Sequence, residues 1–195
     1  HSGLGKPCSL ERRGDWVTPL GSLPVDEGLA RRILEMSDDV TVDPETHSEE
    51  HAVEMILPFL QRTGSIRRFV PMALAADDPQ VAHRVGLGIA AAVQGFGRSV
   101  LVVASAHLTC YQPSTVAQKN DPGTLQRILA MDEEGLWRWI TEQRASMCGC
   151  AAVGAVLAAA KALGASGGHL VKYEVRSPSA GEPDSVNGYA GVIFQ

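Results

Sequence analysis

The chain contains 195 residues, of which 45% are hydrophobic and 20% are charged, values typical of a globular protein with one sizeable core. Its formal net charge of -5 argues against nucleic acid or an anionic membrane as a partner, because both attract basic surfaces. No apolar run reaches the roughly 18 residues needed to span a bilayer. The four cysteines do not indicate a disulfide-rich secreted module. We therefore expect one domain in the cytoplasm.

The first half of the sequence predicts two helices after a loop-rich start. Residues 1–25 predict loop, with a short strand near Trp16. Asp26 is a favourable N-cap for a helix that ends near Ser37. Ser48 predicts the start of a second helix, whose apolar face extends to Leu60. Pro58 is expected to kink or end this second helix.

The middle of the chain predicts a strand, a helix and a second strand. Residues 69–74 favour a strand, although its proline weakens the pattern. Asp78 followed by Pro79 predicts a helix opening, and that helix is expected to end near Gly95. Residues 99–104 are an unbroken apolar run, typical of a strand covered on both faces. We expect this strand in the middle of a sheet.

The last third predicts three helices and two strands. Helices are expected from Pro122, from Asp132 and over the alanine-rich residues 150–163. The two final strands are predicted over residues 169–175 and 188–194. Helices that alternate with strands indicate an α/β fold.

Two of the six histidines are four residues apart in the second predicted helix. His47 and His51 would project from one helix face, with Glu54 within reach of His51. Two imidazoles at this spacing can chelate a metal. However, the His-Glu-x-x-His pattern is lacking, and a helix N-terminus often carries such residues as solvated groups or as groups that support a ligand without touching the metal. His51 and Glu54 are candidates for binding a cofactor.

A second group of candidates follows the apolar run of residues 99–104. Residues 105–111 include His107 and Cys110, three positions apart, where α/β proteins often place ligands and catalytic groups. The pair could be a base and a nucleophile, or two metal ligands. Alternatively, the loop simply packs Leu108 and leaves His107 in solvent.

Cys148 is predicted at the opening of the alanine-rich helix. Unpaired N–H groups and the positive end of the helix dipole lower the pKa of a thiol at that position. A thiolate is the form that metals and electrophiles require. The alternative is a buried, inert cysteine.

Six stretches, in order, resemble the Memo family, whose bacterial members are called protein B of the AmmeMemoRadiSam system. Any one of these motifs is weak, but six in the right order are strong, and the similarity spans the whole chain. They are His1–Gly5, Trp16–Gly21 with Val25–Asp26, Glu50–Glu54 with Leu57–Leu60, Val70–Pro71, Ser146–Gly149, and Gly188–Ala190.

The resemblance implies the fold of the class III extradiol dioxygenases, a LigB-like, three-layer α/β sandwich around a mostly parallel central sheet. It also implies a pocket of two histidines and one cysteine that binds iron or copper. One family histidine lies in a segment that has no match here. The other two ligands correspond to His1 and Cys148, so His1 is interpreted as a ligand rather than as residual tag sequence. Residues 1–195 are accordingly interpreted as one Memo-type domain that lacks the family's N-terminal strands.

One difference from the family bears directly on catalysis. In the family, a histidine in the loop after the central strand corresponds to the catalytic base of the dioxygenases. Here that position is Cys110, and the family's aspartate three residues earlier is His107. A thiol titrates near pH 8.5 when unperturbed, too high for a good base at neutral pH. Ring-opening dioxygenation is therefore not expected.

Two functions remain open at this point. The first is a metal-binding, redox-active pocket, made softer than the family's usual one if Cys110 joins Cys148 and His1. The second is a non-enzymatic binding module that holds a peptide or a small molecule in the old active-site cleft. The fold alone does not distinguish them, because function depends on the site.

Overall fold

The computed structural model describes residues 5–177 and 185–195, and these form a mixed α/β structure as expected. The strands are β1 (Cys8–Leu10), β2 (Asp15–Thr18), β3 (Gly21–Pro24), β4 (Thr41–Val42), β5 (Met72–Leu74), β6 (Gly168–Arg176) and β7 (Asn187–Phe194). The helices are α1 (Glu27–Met36), α2 (Leu57–Arg62), α3 (Pro79–Gln94), α4 (Ser114–Leu129), α5 (Glu133–Gln143) and α6 (Cys150–Ala162), with a 3-10 helix over Pro44–His47. Within the described ranges, no helix is both long and apolar enough to cross a bilayer.

Aspartate side chains start three of the helices, as the sequence predicts. The carboxylate of Asp26 accepts a hydrogen bond from the backbone N–H of Leu29, at 3.1 Å. Asp78 caps α3 in the same way, and Asp132 caps α5. Each cap satisfies a backbone donor that the first helical turn leaves without a partner. The predicted strand near Trp16 is also confirmed, as β2.

The predicted helix from Ser48 to Leu60 is wrong. Ser48 instead follows the 3-10 helix as its C-cap, and α2 begins only at Leu57. The Glu50 carboxylate accepts a hydrogen bond from the N–H of Ala52, at 2.8 Å, and this local bond competes with a regular helix. Pro58 lies in the first turn of α2, where its missing N–H costs nothing. His47 and His51 therefore do not share a helix face.

The helix expected to open at Pro122 begins eight residues earlier, at Ser114, and Pro122 lies inside it. A proline inside a helix removes one backbone hydrogen bond. Buried polar contacts surround this position: Thr124 donates to the carbonyl of Asn120 at 3.1 Å, and the Trp139 indole donates to the same carbonyl at 3.3 Å. Tertiary contacts therefore hold a helix through a residue that, by sequence, predicts a helix start.

Close packing between α3 and α6 forms the centre of the core. A Cβ atom at Gly86 would collide with the backbone carbonyl of Ala155 and lie 2.6 Å from the Cβ of Ala158. Ala82 and Ala159 are also buried in this cluster. Small side chains thus allow the two helix backbones to approach each other, as the alanine-rich sequence of α6 suggests.

The strands belong to three small sheets. One has the order β4-β1-β5, and the others are the hairpins β2-β3 and β6-β7. Among the described strands, the β1–β4 pair is parallel, whereas β1–β5, β2–β3 and β6–β7 are antiparallel. A three-layer sandwich around a mostly parallel central sheet is therefore not confirmed.

Residues 99–104, expected as a strand in the middle of a sheet and covered on both faces, form no ladder with another described strand. Val100 and Val102 pack against the α3–α6 core. Leu101 and Val103, on the opposite face, are 65% and 48% exposed. The alternation of a strand is thus present, but within the described residues it lacks neighbouring strands and a second covering layer.

The close packing of α3 against α6 predicts that two substitutions in α3 differ sharply in their effect on the free energy of unfolding. Gly86→Val inserts a branched side chain against Ala155 and Ala158, and we expect it to lower the free energy of unfolding by about 2–3 kcal/mol or more through overpacking. Ala91→Val is the control, because Ala91 is exposed on the same helix. This variant should lower the free energy of unfolding by less than about 1 kcal/mol. Urea denaturation measures both. Equal losses would contradict the packing argument.

Candidate functional site

The loop of residues 105–112 is held by backbone bonds on two sides. The N–H of His107 donates to the carbonyl of Cys148 at 3.1 Å, which joins the loop to the segment before α6. On the other side, the N–H of Leu108 donates to the carbonyl of Gly188 at 3.1 Å, and the N–H of Gly188 donates to the carbonyl of Thr109 at 2.8 Å. The loop therefore brings together segments that lie about 40 and 80 positions farther along the chain.

A buried carboxylate in α4 fixes the centre of this loop. Asp121 is 1% exposed, and its Oδ1 accepts hydrogen bonds from the N–H and the hydroxyl of Thr109, at 3.0 and 2.7 Å. Its Oδ2 accepts the hydroxyl of Tyr173 at 2.8 Å. A Cβ atom at Gly188 would collide with the same carboxylate, so glycine is required there. Burial, followed by the hydrogen bond to Asp121, raises the pKa of Tyr173.

Cys110 and Cys148 lie on adjoining segments. The N–H of Cys110 donates to the hydroxyl of Ser146 at 3.1 Å. Gly149 adopts a left-handed conformation with φ of 86°, which favours glycine, and turns the chain from Cys148 into α6. The helix begins at Cys150, so Cys148 lies just before the helix rather than in its first turn.

The pKa shift of Cys148 is opposite to the sequence prediction. Burial raises the pKa of Cys148, and the nearby Glu50 carboxylate raises it further. Burial also raises the pKa of Cys110, with a smaller contribution from Cys148. The predicted lowering by the helix terminus is therefore wrong, because desolvation disfavours the thiolate. The electrostatic effect of Cys148 on Cys110 agrees with the hydrogen bonds that join their two segments.

The His107 imidazole lies in the same site and favours the neutral form. Burial lowers the pKa of His107, and the charge of His51 lowers it further. The ring packs edge-on against Tyr189, with 5.6 Å between the ring centroids. A neutral imidazole can accept a proton or bind a metal ion. The pKa of His107 responds to His51, whereas that of Cys110 responds to Cys148, so the proposed base–nucleophile pair gains no support from these shifts.

The remaining predicted residues occupy different positions relative to this cleft. His51 and Glu54 are both exposed, and His51 is close enough to affect the pKa of His107. His1 lies outside the described residues, so its predicted position opposite Cys148 remains a prediction.

His47 lies at the end of the 3-10 helix. Its ring contacts Trp16 edge-on, with 5.5 Å between the centroids. Within the described residues, neither ring nitrogen has a hydrogen-bond partner, and both are buried. Desolvation accordingly lowers the pKa of His47, although three nearby carboxylates oppose the shift. The predicted His47–His51 chelate gains no support.

The described residues offer the types of ligand atom that suit a soft metal ion, but they do not offer enough of them at one place. Thiol and imidazole groups suit copper(I), zinc and iron. Cys110, Cys148 and His107 lie on the two segments that border this cleft. Among residues 5–177 and 185–195, however, no group of three or more His, Cys, Asp or Glu side chains could hold a metal ion. A complete set of ligands would need a donor from elsewhere.

Sequence reasoning missed three residues that organise the site. Asp121 and Ser146 anchor the loop through side-chain bonds, and Glu50 is 8% exposed and influences Cys148. Glu50 and Ser146 lie in two of the motifs that resemble the Memo family, and these motifs were the signal by which both residues could have been found. For Asp121 no local signal existed, because its neighbour Pro122 predicts a helix opening instead.

Comparison with known proteins identifies the chain. The family model described as "Memo-like protein" matches residues 1–193. The chain belongs to the Memo family. The resemblance drawn from the six motifs is thereby confirmed.

Curated relatives agree with this assignment. The chain is 38% identical over 200 residues to a MEMO1 family protein of Methanopyrus kandleri, a match that covers 100% of the chain and 69% of that relative. It is 36% identical to a MEMO1 family protein of Methanothermobacter thermautotrophicus, covering 97% of the chain and 69% of the relative. For a MEMO1 family protein of Methanosarcina barkeri, the identity is 35%, with coverage of 100% and 73%.

The anchoring carboxylate of this Memo-family chain gives one prediction. Asp121→Ala removes the acceptor for Thr109 and Tyr173, and leaves a buried N–H without its partner. We expect the free energy of unfolding to fall by about 3 kcal/mol and Cys110 to react faster with a thiol reagent. Denaturation and mass spectrometry of labelled Cys110 measure these effects. Asp77→Ala, at an exposed position, is the control. Unchanged stability and labelling would contradict the anchoring role.

His47 gives a prediction for pH dependence. Its pKa in the folded state is lower than the ordinary value of 6.5, so the unfolded chain binds more protons at this residue. Its contribution to stability is therefore complete above about pH 6.5 and is lost as the pH falls through that value towards the folded pKa. Between pH 7 and 5, we expect the wild type to lose more stability than His47→Phe does.

Urea denaturation at the two pH values tests this expectation. His169→Phe is the control, because His169 is exposed on β6, and this variant should lose as much stability as the wild type. If His47→Phe loses as much stability between pH 7 and 5 as the wild type does, the pH dependence does not arise from His47.

Proposed function

We propose that this chain binds an iron or copper ion in the cleft between residues 105–111 and the segment before α6. Cys148 and His1 are the proposed ligands, and Cys110 is a further thiol donor beside them. The observation that carries the proposal is the pair of hydrogen bonds that join the two segments: the N–H of His107 donates to the carbonyl of Cys148 at 3.1 Å, and the N–H of Cys110 donates to the hydroxyl of Ser146 at 3.1 Å. These bonds bring together two segments that carry thiols about 40 residues apart in sequence, with the imidazole of His107 on the same loop as Cys110.

The chemistry of these side chains favours a soft or borderline ion. Thiolates bind copper(I) and iron well, and His107 is available as a neutral donor because its pKa is lowered. Metal binding must displace the protons of thiols whose pKa values are raised, so affinity should increase with pH. The described residues lack a complete set of metal ligands, and we assign the missing ligand to His1. When bound, an iron or copper ion supplies one-electron redox chemistry.

Ring-opening dioxygenation is not part of the proposal. The position of the family's base is Cys110, and burial raises the pKa of its thiol further above the working pH. A group that stays protonated at neutral pH is a poor general base. The four cysteines are all free thiols, which is consistent with a reducing compartment, and we infer a cytoplasmic location on that basis.

A second candidate function is a non-enzymatic binding module for a peptide or small molecule in the same cleft. It is favoured by the shortage of ligands among the described residues. On this alternative, Glu50, His107 and Tyr189 would contact a polar ligand directly, and no metal would be needed. Metal content distinguishes the two candidates.

Metal analysis tests the first proposal. After anaerobic incubation with iron(II) or copper(I) and removal of excess ion, we expect about one bound ion per chain. Cys148→Ala and His1→Ala should each weaken binding at least tenfold, and Cys110→Ala should weaken it less. The matched controls are Cys150→Ala, a buried thiol two residues away in α6, and His169→Ala, an exposed imidazole.

The controls should retain the wild-type metal content. If Cys148→Ala and Cys110→Ala bind as much metal as the wild type, the metal proposal is overturned. A wild-type chain without metal under all of these conditions would favour the binding module.

A further inference from the structure

The β2–β3 hairpin and α2 lie side by side in the structure. The hydroxyl of Thr18 donates to Oε1 of Gln61 at 2.5 Å, and Nε2 of Gln61 donates to the carbonyl of Gly21 at 3.2 Å. The turn of the hairpin is thus fixed to α2 through one glutamine side chain. We call residues 11–23 and 54–68 together the hairpin–α2 surface.

Large apolar side chains on this surface are exposed to solvent. The exposed fractions are 80% for Val17 and 74% for Phe59, the highest values among the large hydrophobic residues that the structure describes. On the same helix as Phe59, Leu57 is buried, so α2 packs through one face and presents another to solvent. The exposed apolar residues of this surface are Val17, Leu20, Met55 and Phe59. Isolated exposed hydrophobic residues are ordinary, but a group of them marks an interaction site.

Exposed arginines accompany these apolar side chains. The surface carries five arginines and no lysine, and all five are exposed: Arg12, Arg13, Arg62, Arg67 and Arg68. Within residues 5–177 and 185–195, none of their guanidinium groups takes part in an ion pair. By contrast, the guanidinium of Arg84 donates to both carboxylate oxygens of Asp39, at 2.8 and 2.9 Å. The five arginines therefore keep their donors available for a partner.

The tertiary structure assembles this basic group from two parts of the sequence. Residues 12–13 lie just before β2, and residues 67–68 lie just before Phe69. The ring of Phe69 contacts Trp16 of β2 edge-on, with 5.4 Å between the centroids, and the N–H of Phe69 donates to the carbonyl of Pro24 at 3.2 Å. These contacts bring two arginine pairs to one surface, whereas the sequence shows only two separate pairs.

Carboxylates on the same surface offset the arginines only in part. Three are present, at Glu11, Asp15 and Glu54, and that of Glu11 accepts the indole N–H of Trp16 at 2.7 Å. The surface is therefore positive, although the net charge of the chain is -5. Charges more than about 8–10 Å away are largely screened at physiological salt. The expectation drawn from the net charge, that anionic membranes are not partners, therefore does not apply to this surface.

Positive charge and exposed apolar side chains together fit the surface of an anionic membrane. Guanidinium groups bind phosphate through paired hydrogen bonds, and apolar side chains enter the boundary between lipid headgroups and acyl chains. A small free anion would leave the apolar side chains in water. Single-stranded nucleic acid binds by stacking on aromatic rings, whereas Val17, Leu20 and Met55 are not aromatic.

We propose that the hairpin–α2 surface binds the chain peripherally to membranes rich in anionic phospholipids. The four exposed apolar side chains enter the interface, and the five arginines contact the lipid phosphates. Each arginine near an anionic bilayer strengthens binding by a factor of about five. The proposal goes beyond metal binding in the cleft and does not depend on it.

Co-sedimentation of the metal-free chain with lipid vesicles tests the proposal. One set of vesicles contains phosphatidylcholine alone, and the other contains equal parts of phosphatidylcholine and phosphatidylserine. We expect the chain to bind the anionic vesicles at least tenfold more tightly, because several arginines contribute. Raising the salt to about 1 M, where the Debye length is about 3 Å, should remove most of this difference.

Matched variants separate the arginines from the charge of the chain as a whole. Arg12→Gln combined with Arg13→Gln should weaken binding to the anionic vesicles at least tenfold. Arg144→Gln is the control, because Arg144 is exposed outside the hairpin–α2 surface, and it should bind within about twofold of the wild type.

A second pair of variants tests the apolar contact. Phe59→Ala should weaken binding to the anionic vesicles at least fivefold, because it removes the ring from the interface. Leu87→Ala is the control, because Leu87 is partly exposed on α3, outside the hairpin–α2 surface, and its binding should not change. Circular dichroism establishes that all variants are folded.

The proposal is overturned if the chain binds neither set of vesicles, or binds both sets equally. It is also overturned if Arg144→Gln weakens binding as much as the double arginine variant does, because net charge alone would then explain the attraction. Soluble polyglutamate provides the last comparison. If the chain binds it as tightly as the anionic vesicles and Phe59→Ala weakens neither interaction, the partner is an acidic polypeptide and not a membrane. If the arginine variant does not fold, the salt dependence of the unsubstituted chain decides.

Discussion

The close approach of α3 and α6 positions the rest of the described structure. Gly86 lets the backbone of α3 approach that of Ala155, and this contact positions α6 against α3. The start of α6 in turn places Cys148, which lies one residue before the left-handed Gly149. The carbonyl of Cys148 then receives the N–H of His107. The helix that packs against α3 without room for a methyl group is thus also the helix whose N-terminal end adjoins Cys148 and the loop of His107.

Burial governs the chemistry of the cleft more than any single charge does. Desolvation is the largest cause of the shifts that raise the pKa values of Cys110 and Cys148 and lower that of His107. All three side chains therefore favour their neutral forms. Such groups are poor partners for acid–base chemistry at neutral pH, but a metal ion can bind them by displacing the thiol protons. For this reason we propose metal binding and, as the alternative, simple ligand binding for this cleft.

Residues 99–104 and the cleft are adjacent parts of the described structure. Residues 99–104 run directly into the loop that carries His107 and Cys110. Residues 100–104 and His107 also line one cavity of about 660 Å³.

The sequence by itself determined the family, the α/β class and the elements whose signals are local. Asp26, Asp78 and Asp132 cap helices because a side-chain oxygen satisfies nearby N–H groups, and this depends on a few neighbouring residues only. The motifs likewise located Cys148, and the apolar run of residues 99–104 located the loop with His107 and Cys110. The late start of α2 accompanies a local hydrogen bond from Ala52 to the Glu50 carboxylate, which hydrophobic periodicity does not reveal. Tertiary structure decided the passage of α4 through Pro122 and the raised pKa values of the thiols. Both depend on groups distant in the chain, because burial and long-range hydrogen bonds exist only after the chain has folded.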